Sequence, residues 1–129
     1  AEHSMDIAAA YASERYAFGQ AIGNFQLIQE MLLENEIAIT TMRNMILETA
    51  WKKDNGISIA FDSAMAKYYC AREAHKVIDN CMQIMGGIGY IEDCPISRYW
   101  RDCRVYRIGG GTDQIMVHIA GRALQKDVK

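Results

Sequence analysis

Three glycine-bearing segments of the chain carry residue types that hold anionic ligands. The first is Arg15-Tyr16-Ala17-Phe18-Gly19-Gln20, where a guanidinium stands just ahead of a glycine break. A guanidinium offers a fixed charge and paired N–H donors that match phosphate oxygens. Read structurally, the same stretch is a solvated arginine and a loop glycine. The second is Gln83-Ile84-Met85-Gly86-Gly87-Ile88-Gly89-Tyr90. One glycine suffices to end a helix by supplying a positive φ. Three so close together also leave bare backbone that another molecule can approach. The pattern is not G-x-G-x-x-G and no strand precedes it, which excludes a Rossmann phosphate loop. The third is Arg101-Asp102-Cys103-Arg104, followed by Ile108-Gly109-Gly110-Gly111-Thr112-Asp113-Gln114. A glycine run that opens a helix at Thr112 leaves backbone N–H groups at a positive helix end, which suits an anion. Its structural reading is a turn between packed helices.

Helices must position these segments. The composition favours Ala, Met, Ile, Leu, Glu and Lys, and alternating β-branched runs are missing. Met5 to Tyr16 reads as a helix with Ile7, Tyr11 and Ala12 on one side and no N-cap before it, as if the chain began part-way along a helix. Asn24 is a candidate N-cap for a long helix reaching about Asp54. Its stripe is Ile28, Leu32, Asn35, Ile39, Met42, Ile46 and Ala50, with Asn35 the one polar break. Asn55-Gly56 ends it, with Lys52 and Lys53 in the last turn. Ser58 is a candidate cap for a helix running to about Met85, with Ala60, Ala64, Lys67, Ala71, Ala74, Ile78, Cys81 and Met85 along its seam. A shorter helix is expected over Ile96 to Val105. A last helix is expected after Thr112, with Ile115, Ile119 and Leu124 facing inward. The predicted fold class is all-α, an antiparallel four-helix bundle.

With 129 residues, half of them hydrophobic, the chain fits one domain with one core. A net charge of −2 with no dominant basic face argues against nucleic acid. No apolar run reaches the roughly 18 residues of a membrane span, and the first residues do not read as a signal peptide. Cys70, Cys81, Cys94 and Cys103 form no C-x-x-C pair and have no histidine at metal-site spacing, so no metal site is expected. They read as reduced thiols packed as small hydrophobes in a cytoplasmic protein. His3, His75 and His118 read as helix-face residues.

Taken in order, R-x-x-F-G-Q, then Phe25-Gln26, then Q-x-x-G-G-x-G-Y, then R-x-x-R-D and G-G-T-D-Q-I resemble the acyl-CoA dehydrogenase flavoprotein family. Each motif is modestly specific, while the ordered set is very specific and covers the whole chain. The stretch from Phe18 to Asn55 is most similar to the crotonobetainyl-CoA reductase type of bacterial members. The resemblance implies that residues 1–129 are the C-terminal helical domain, with its first helix truncated and the N-terminal and middle domains absent.

The resemblance also implies roles. Arg15 matches an arginine that reaches the FAD pyrophosphate of a neighbouring subunit, and Phe18 an aromatic beside that cofactor's adenosine end. Gln26 matches a further FAD contact. Gln83, Gly86 and Gly87 match the segment along the partner's adenosine diphosphate. Thr112 and Gln114 match a pair near the flavin's own pyrophosphate and ribityl region, and Arg122 an arginine on the substrate side. Many members place a glutamate base immediately before the Gly-Thr pair. Here Gly110 stands there, so no catalytic residue is expected in this chain. Isovaleryl-type and crotonobetainyl-type members carry that glutamate on a preceding helix, at a position that would lie before Ala1. Asp113 is a poor substitute, because a first-turn side chain need not face the substrate. The implied parent is an FAD enzyme that desaturates an acyl-CoA or reduces an enoyl-CoA. It would be a homo-oligomer, dimer or tetramer, exchanging electrons with an electron-transfer flavoprotein. Two alternatives share the fold: a non-catalytic bundle used for assembly, and an oxidase of the same superfamily.

Overall fold

The computed structural model describes residues 1–126 of the chain. In order, the elements are α1 (Glu2–Glu14), β1 (Tyr16–Ala17), β2 (Gln20–Ala21), a 3-10 turn (Ile22–Asn24), α2 (Gln26–Asp54), α3 (Ala60–Met85), α4 (Gly87–Tyr90), α5 (Pro95–Val105) and α6 (Asp113–Lys126). The architecture is all-α, with α3 at its centre. Helices α1, α2, α5 and α6 all pack against α3, and the single turn of α4 closes its C-terminal end.

Side-chain pairs fix the directions. Asn80 Nδ2 donates to Asn35 Oδ1 at 2.9 Å, and Lys52 Nζ to Asp62 Oδ1 at 2.5 Å, so α2 and α3 run antiparallel. Arg43 reaches Glu2 at 2.5 Å, and Asn35 Nδ2 lies 3.9 Å from Met5 Sδ, so α1 also runs against α2. Trp100 Nε1 donates to Asp79 Oδ1 at 2.8 Å and Lys67 Nζ to the Tyr106 carbonyl at 2.9 Å, which sets α5 antiparallel to α3. The core lies between these helices: Ala8, Ala12, Ile39, Met42, Val77, Ile78, Cys81 and Ile96 are all buried. Small residues on α1 and α3 let the helices approach closely, as the alanine-rich pattern implies. Asn35, only 1% exposed, is tolerated because its amide also faces Cys81 Sγ at 3.5 Å.

Helix boundaries follow local chemistry, with corrections. Gly56 at φ +72 ends α2, and Ile57 N–H reaches back to the Lys52 carbonyl at 2.9 Å, the six-residue closure of a Schellman turn. Pro95 opens α5 at the position where a missing N–H costs nothing. Thr112 caps α6 as expected: its Oγ1 accepts from Ile115 N–H at 3.3 Å. Asn24 is not the cap of α2. It lies in the 3-10 turn, where Phe25 N–H bonds to the Ile22 carbonyl, and α2 starts without a side-chain cap. Ser58 does not cap α3 either. Ile59 precedes the helix, and Asp62 supplies the acidic first turn. The two-residue strands around Phe18-Gly19 were not expected.

Two inward stripes are also corrected. On α2, Ile46 and Ala50 face outward, and Met45, Thr49 and Lys52 are the half-buried positions beyond Met42. Each four-residue step turns about 400°, so the two consecutive fours from Met42 to Ile46 to Ala50 rotate the expected stripe off the core, while Met45, Thr49 and Lys52 continue inward in steps of three, four and three. On α6, Ile115, Ile119 and Leu124 are exposed, whereas Met116 is buried and Ala120 and Ala123 are half-buried. Asp113, anchored at the helix start, sets the rotation that turns this smaller face onto α3.

Candidate functional site

The hairpin presents the first candidate residues. Phe18 at φ +52 and Gly19 at φ +82 occupy the two central positions of a tight turn between paired residues Ala17 and Gln20. Glycine reaches that backbone freely; phenylalanine does so at a cost of about 1–2 kcal/mol. The strained Phe18 is 98% exposed, with its ring edge-on to Phe25 at 6.3 Å. The fold therefore holds an aromatic ring out into solvent, the kind of local strain that clusters at ligand sites. Arg15 closes the base of the same hairpin through its backbone, accepting from Ile22 N–H at 2.8 Å. Its side chain is exposed and, among the described residues, forms no ion pair.

Antiparallel register gathers a second group beside the first. With Asn35 level with Asn80, the start of α2 at Gln26 falls level with Gly86–Gly89 at the end of α3. With Met5 level with Asn35, the end of α1 at Arg15 falls at the same height. One end of the bundle thus collects Arg15, Phe18, Gln26, Gln83, Gly86 and Gly87, and all six are exposed. Their glycines differ in purpose. A Cβ on Gly89 would sit 2.9 Å from the Met82 carbonyl and 3.0 Å from Met85 Cβ, so Gly89 serves the packing of α4 on α3. Gly86 meets nothing but needs φ +60. Gly87 has open space and an ordinary φ, so no contact within the chain requires glycine there.

Thr112 and Gln114 stand elsewhere. The loop before α6 is tied to the first half of α3: Lys67 Nζ donates to the carbonyls of Tyr106 and Gly111. Arg107 Nε and Nη2 both lie 2.8 Å from Asp113 Oδ2, with Arg72 Nη1 at 3.7 Å. Arg72 lies 14 residues before Gly86, about 21 Å along α3 at 1.5 Å per residue. The predicted site residues therefore form two stations rather than one. Arg122 is exposed on α6, beyond the second station.

Gly110 takes φ +64, and a Cβ there would point at Lys67 Cε from 3.8 Å, an ordinary contact distance. Gly111 is fixed more tightly, since its Cβ would lie 2.5 Å from Met116 Cε. The Asp113 carboxylate is buried and committed to Arg107, so it serves as a clamp on the loop. Beside this station a cavity of about 560 Å³ opens between α3 and α5, with Lys67, Ala71, Ala74, Tyr99 and Tyr106 in its walls.

Three contributors escaped the sequence reading: Lys67 was only a seam position, and Arg72 and Arg107 were unremarked. A signal existed for Lys67. An ammonium among the alanines of an inward stripe must find acceptors, and helix-end carbonyls are the nearest kind. Among the described residues no cluster of His, Cys, Asp or Glu could hold a metal.

An all-α bundle built around one central helix, with exposed arginine, glutamine and glycine groups at one end and a glycine loop opening the last helix, defines the class. Residues 1–125 match the family model for the acyl-CoA dehydrogenase C-terminal domain, and the chain belongs to that family. It is 52% identical over 127 residues to the probable acyl-CoA dehydrogenase YdiO of Escherichia coli (strain K12), covering 98% of this chain and 33% of that protein. Among solved structures, butyryl-CoA dehydrogenase from Megasphaera elsdenii superposes with a TM-score of 0.94 at 32% identity, covering 96% of this chain and 32% of that one. The FAD complex of PigA superposes with a TM-score of 0.92 at 27% identity, with the same coverage of 96% and 32%. The chain thus spans about a third of the length of the relatives it matches.

Proposed function

We propose that this chain is the FAD-facing and assembling C-terminal domain of a flavin-dependent dehydrogenase. The parent enzyme would interconvert a saturated acyl-CoA and its α,β-unsaturated form. The observation that carries this reading is the convergence of Arg15, Phe18, Gln26, Gln83, Gly86 and Gly87 at one end of the bundle. The residues fit a dinucleotide. Arg15 offers paired donors to phosphate without a competing carboxylate partner. Gly86 and Gly87 leave room against the backbone, and the exposed ring of Phe18 offers a face for an adenine. Similarity to the FAD complex of PigA supports the same cofactor.

The second station would meet another part of the cofactor, through the Thr112 hydroxyl and Gln114 amide at the start of α6. Arg122 would lie toward the substrate. Bound FAD would supply the acceptor for the β-hydrogen of the acyl-CoA, taken as hydride. This chain's residues hold and orient. Lys67 and the Arg107–Asp113 pair fix the loop, and Thr112 holds its hydroxyl at the helix mouth. Gly110 has no side chain to take the α-proton, so in this reading the base comes from a preceding segment of the parent. Electrons would pass to an electron-transfer flavoprotein, in the cytoplasm. Assembly as a homo-oligomer would let one subunit's Arg15 end reach a neighbour's cofactor.

The test is flavin content. In the parent enzyme, Arg15→Ala and Gln83→Ala are each expected to lower the FAD retained per polypeptide through purification, read from visible flavin absorbance. Unchanged flavin in both variants would show that the site is assigned to the wrong end of the bundle.

A further inference from the structure

Among the described residues, Lys52 and Lys67 are the half-buried lysines, and their charges are answered differently. Lys52 Nζ lies 2.8 Å from Glu48 and 2.5 Å from Asp62, so two carboxylates balance it. Lys67 stands in the alanine seam of α3, in the wall of the cavity beside the second station. No carboxylate among the described residues lies within ion-pair distance of it. Asp113 is taken by Arg107 and approached by Arg72, and Asp102 shares the cavity wall without pairing with the ammonium. Lys67 meets two carbonyl oxygens instead, those of Tyr106 and Gly111. Withdrawing an ammonium from water without a counter-ion is costly. A tie between two carbonyls needs N–H donors, which a neutral amide also supplies. The contacts within the chain therefore account for the donors of Lys67 and leave its charge unanswered.

The direction of that charge follows from the peptide it touches. The described peptide bonds include none that is cis, and the C=O and N–H of a trans unit point opposite ways. With the Gly111 carbonyl turned onto Lys67, the N–H of the same unit, that of Thr112, points away from α3. It has no acceptor among the described residues. The Thr112 Oγ1 accepts from Ile115 N–H at 3.3 Å, which leaves the hydroxyl hydrogen to donate. Two donors of one residue thus stand at the mouth of α6, and a positive charge lies one peptide group behind the first of them. A cation on a carbonyl oxygen polarises the peptide and makes its N–H the stronger donor.

We propose that Lys67 is a positioning residue for an anionic oxygen of the bound cofactor, a phosphate of FAD. It acts through the Gly111–Thr112 peptide, aiming the Thr112 N–H outward and strengthening it, and the phosphate answers the charge that the chain leaves unpaired. Lys67 itself touches no ligand. The inference rests on the reading of the second station as a cofactor contact, and it adds the residue behind that contact and the reason for its charge.

The experiment measures FAD dissociation from the parent enzyme by flavin fluorescence in three variants. Lys67→Met deletes donors and charge, Lys67→Gln deletes the charge and keeps an amide donor, and Lys67→Arg keeps both. Met and Gln are expected to weaken FAD binding alike, by at least about tenfold, with Arg within about threefold of the unsubstituted enzyme. The dissociation constant should also rise less steeply with salt in Lys67→Gln than in the unsubstituted enzyme, which a residue that only shapes the loop would not produce. FAD held by Lys67→Gln as tightly as by the unsubstituted enzyme, loss in Lys67→Arg equal to that in Lys67→Met, or equal salt slopes would overturn the role of Lys67 and leave the flavin reading standing. An unsubstituted parent that holds no FAD would overturn both.

Discussion

Arg107 and Asp113 hold each other twice. The guanidinium places Nε and Nη2 each 2.8 Å from Asp113 Oδ2, and the Asp113 backbone N–H donates to the Arg107 carbonyl at 3.1 Å. Between them lie Ile108 to Thr112, which include three consecutive glycines with high conformational entropy when unfolded. The double contact closes this segment into a ring whose geometry survives its glycines. Asp113→Asn removes the charge but keeps the shape, and should cost about 1–3 kcal/mol of stability. The urea unfolding midpoint checks this; an unchanged midpoint would mean that the pair is incidental to the loop.

Gly87 and Gly89 separate packing from ligand access. Gly89→Ala puts a methyl 2.9 Å from a carbonyl oxygen and should destabilise the bundle by about 1–3 kcal/mol. Gly87→Ala meets no atom within 4 Å and should leave stability unchanged or raise it by up to about 1 kcal/mol. In the parent enzyme, Gly87→Ala should nonetheless reduce retained flavin under the proposed function. Thermal melts of the two variants give the first comparison, and flavin absorbance gives the second. Loss of stability in Gly87→Ala equal to that in Gly89→Ala would count against a ligand-facing role.

Lys67 ties two segments together from a third. Its ammonium donates to the carbonyls of Tyr106 and Gly111, joining the end of α5 to the loop before α6. Lys67→Met keeps most of the stem's packing and deletes both donors. The Gly109 and Asp113 amides, bonded to the Val105 and Arg107 carbonyls, should then exchange their hydrogens faster, by about tenfold for each 1.4 kcal/mol of lost local stability. Amides around Asn35 serve as the internal control. Uniform acceleration across both regions would indicate general destabilisation instead.

His75 gives the bundle a pH dependence. Its ring packs on Trp100 at 5.3 Å between centroids, and its buried Nε2 has no hydrogen-bond partner among the described residues. Burial lowers its pKa from 6.5; Asp79 opposes the shift, and Arg107 and Arg104 add to it. The folded state therefore binds fewer protons than the unfolded chain in the window below 6.5. Stability is whole above that value and falls as pH drops through the window. His75→Phe keeps a ring against Trp100 and should flatten the fall between about pH 7.5 and about pH 5.5. Equal slopes in the two proteins, measured by denaturant titration, would place the dependence on other groups.

Much of this molecule is legible in its sequence. Helix-forming composition, glycine punctuation and the stripe through Asn35 determine an all-α chain with two long central helices, because local propensity and 3.6-residue periodicity are properties of neighbouring residues. The Thr112 cap, the Gly56 stop and the Pro95 start follow from the same local rules. The ordered motifs also point to the family. Only the tertiary structure decided which glycines serve packing and which leave open space, because Gly89 differs from Gly87 solely in what lies within 4 Å of an absent Cβ. The structure also decided that Ile46, Ile115 and Ile119 face outward, since helix rotation is set by anchors such as Asp113 on distant arginines. Finally, it divided the candidate residues into two stations about 21 Å apart on one helix. Which residues join the Gly86 end depends on antiparallel register, which cross-helix contacts such as Asn35–Asn80 fix and no local stretch of sequence encodes.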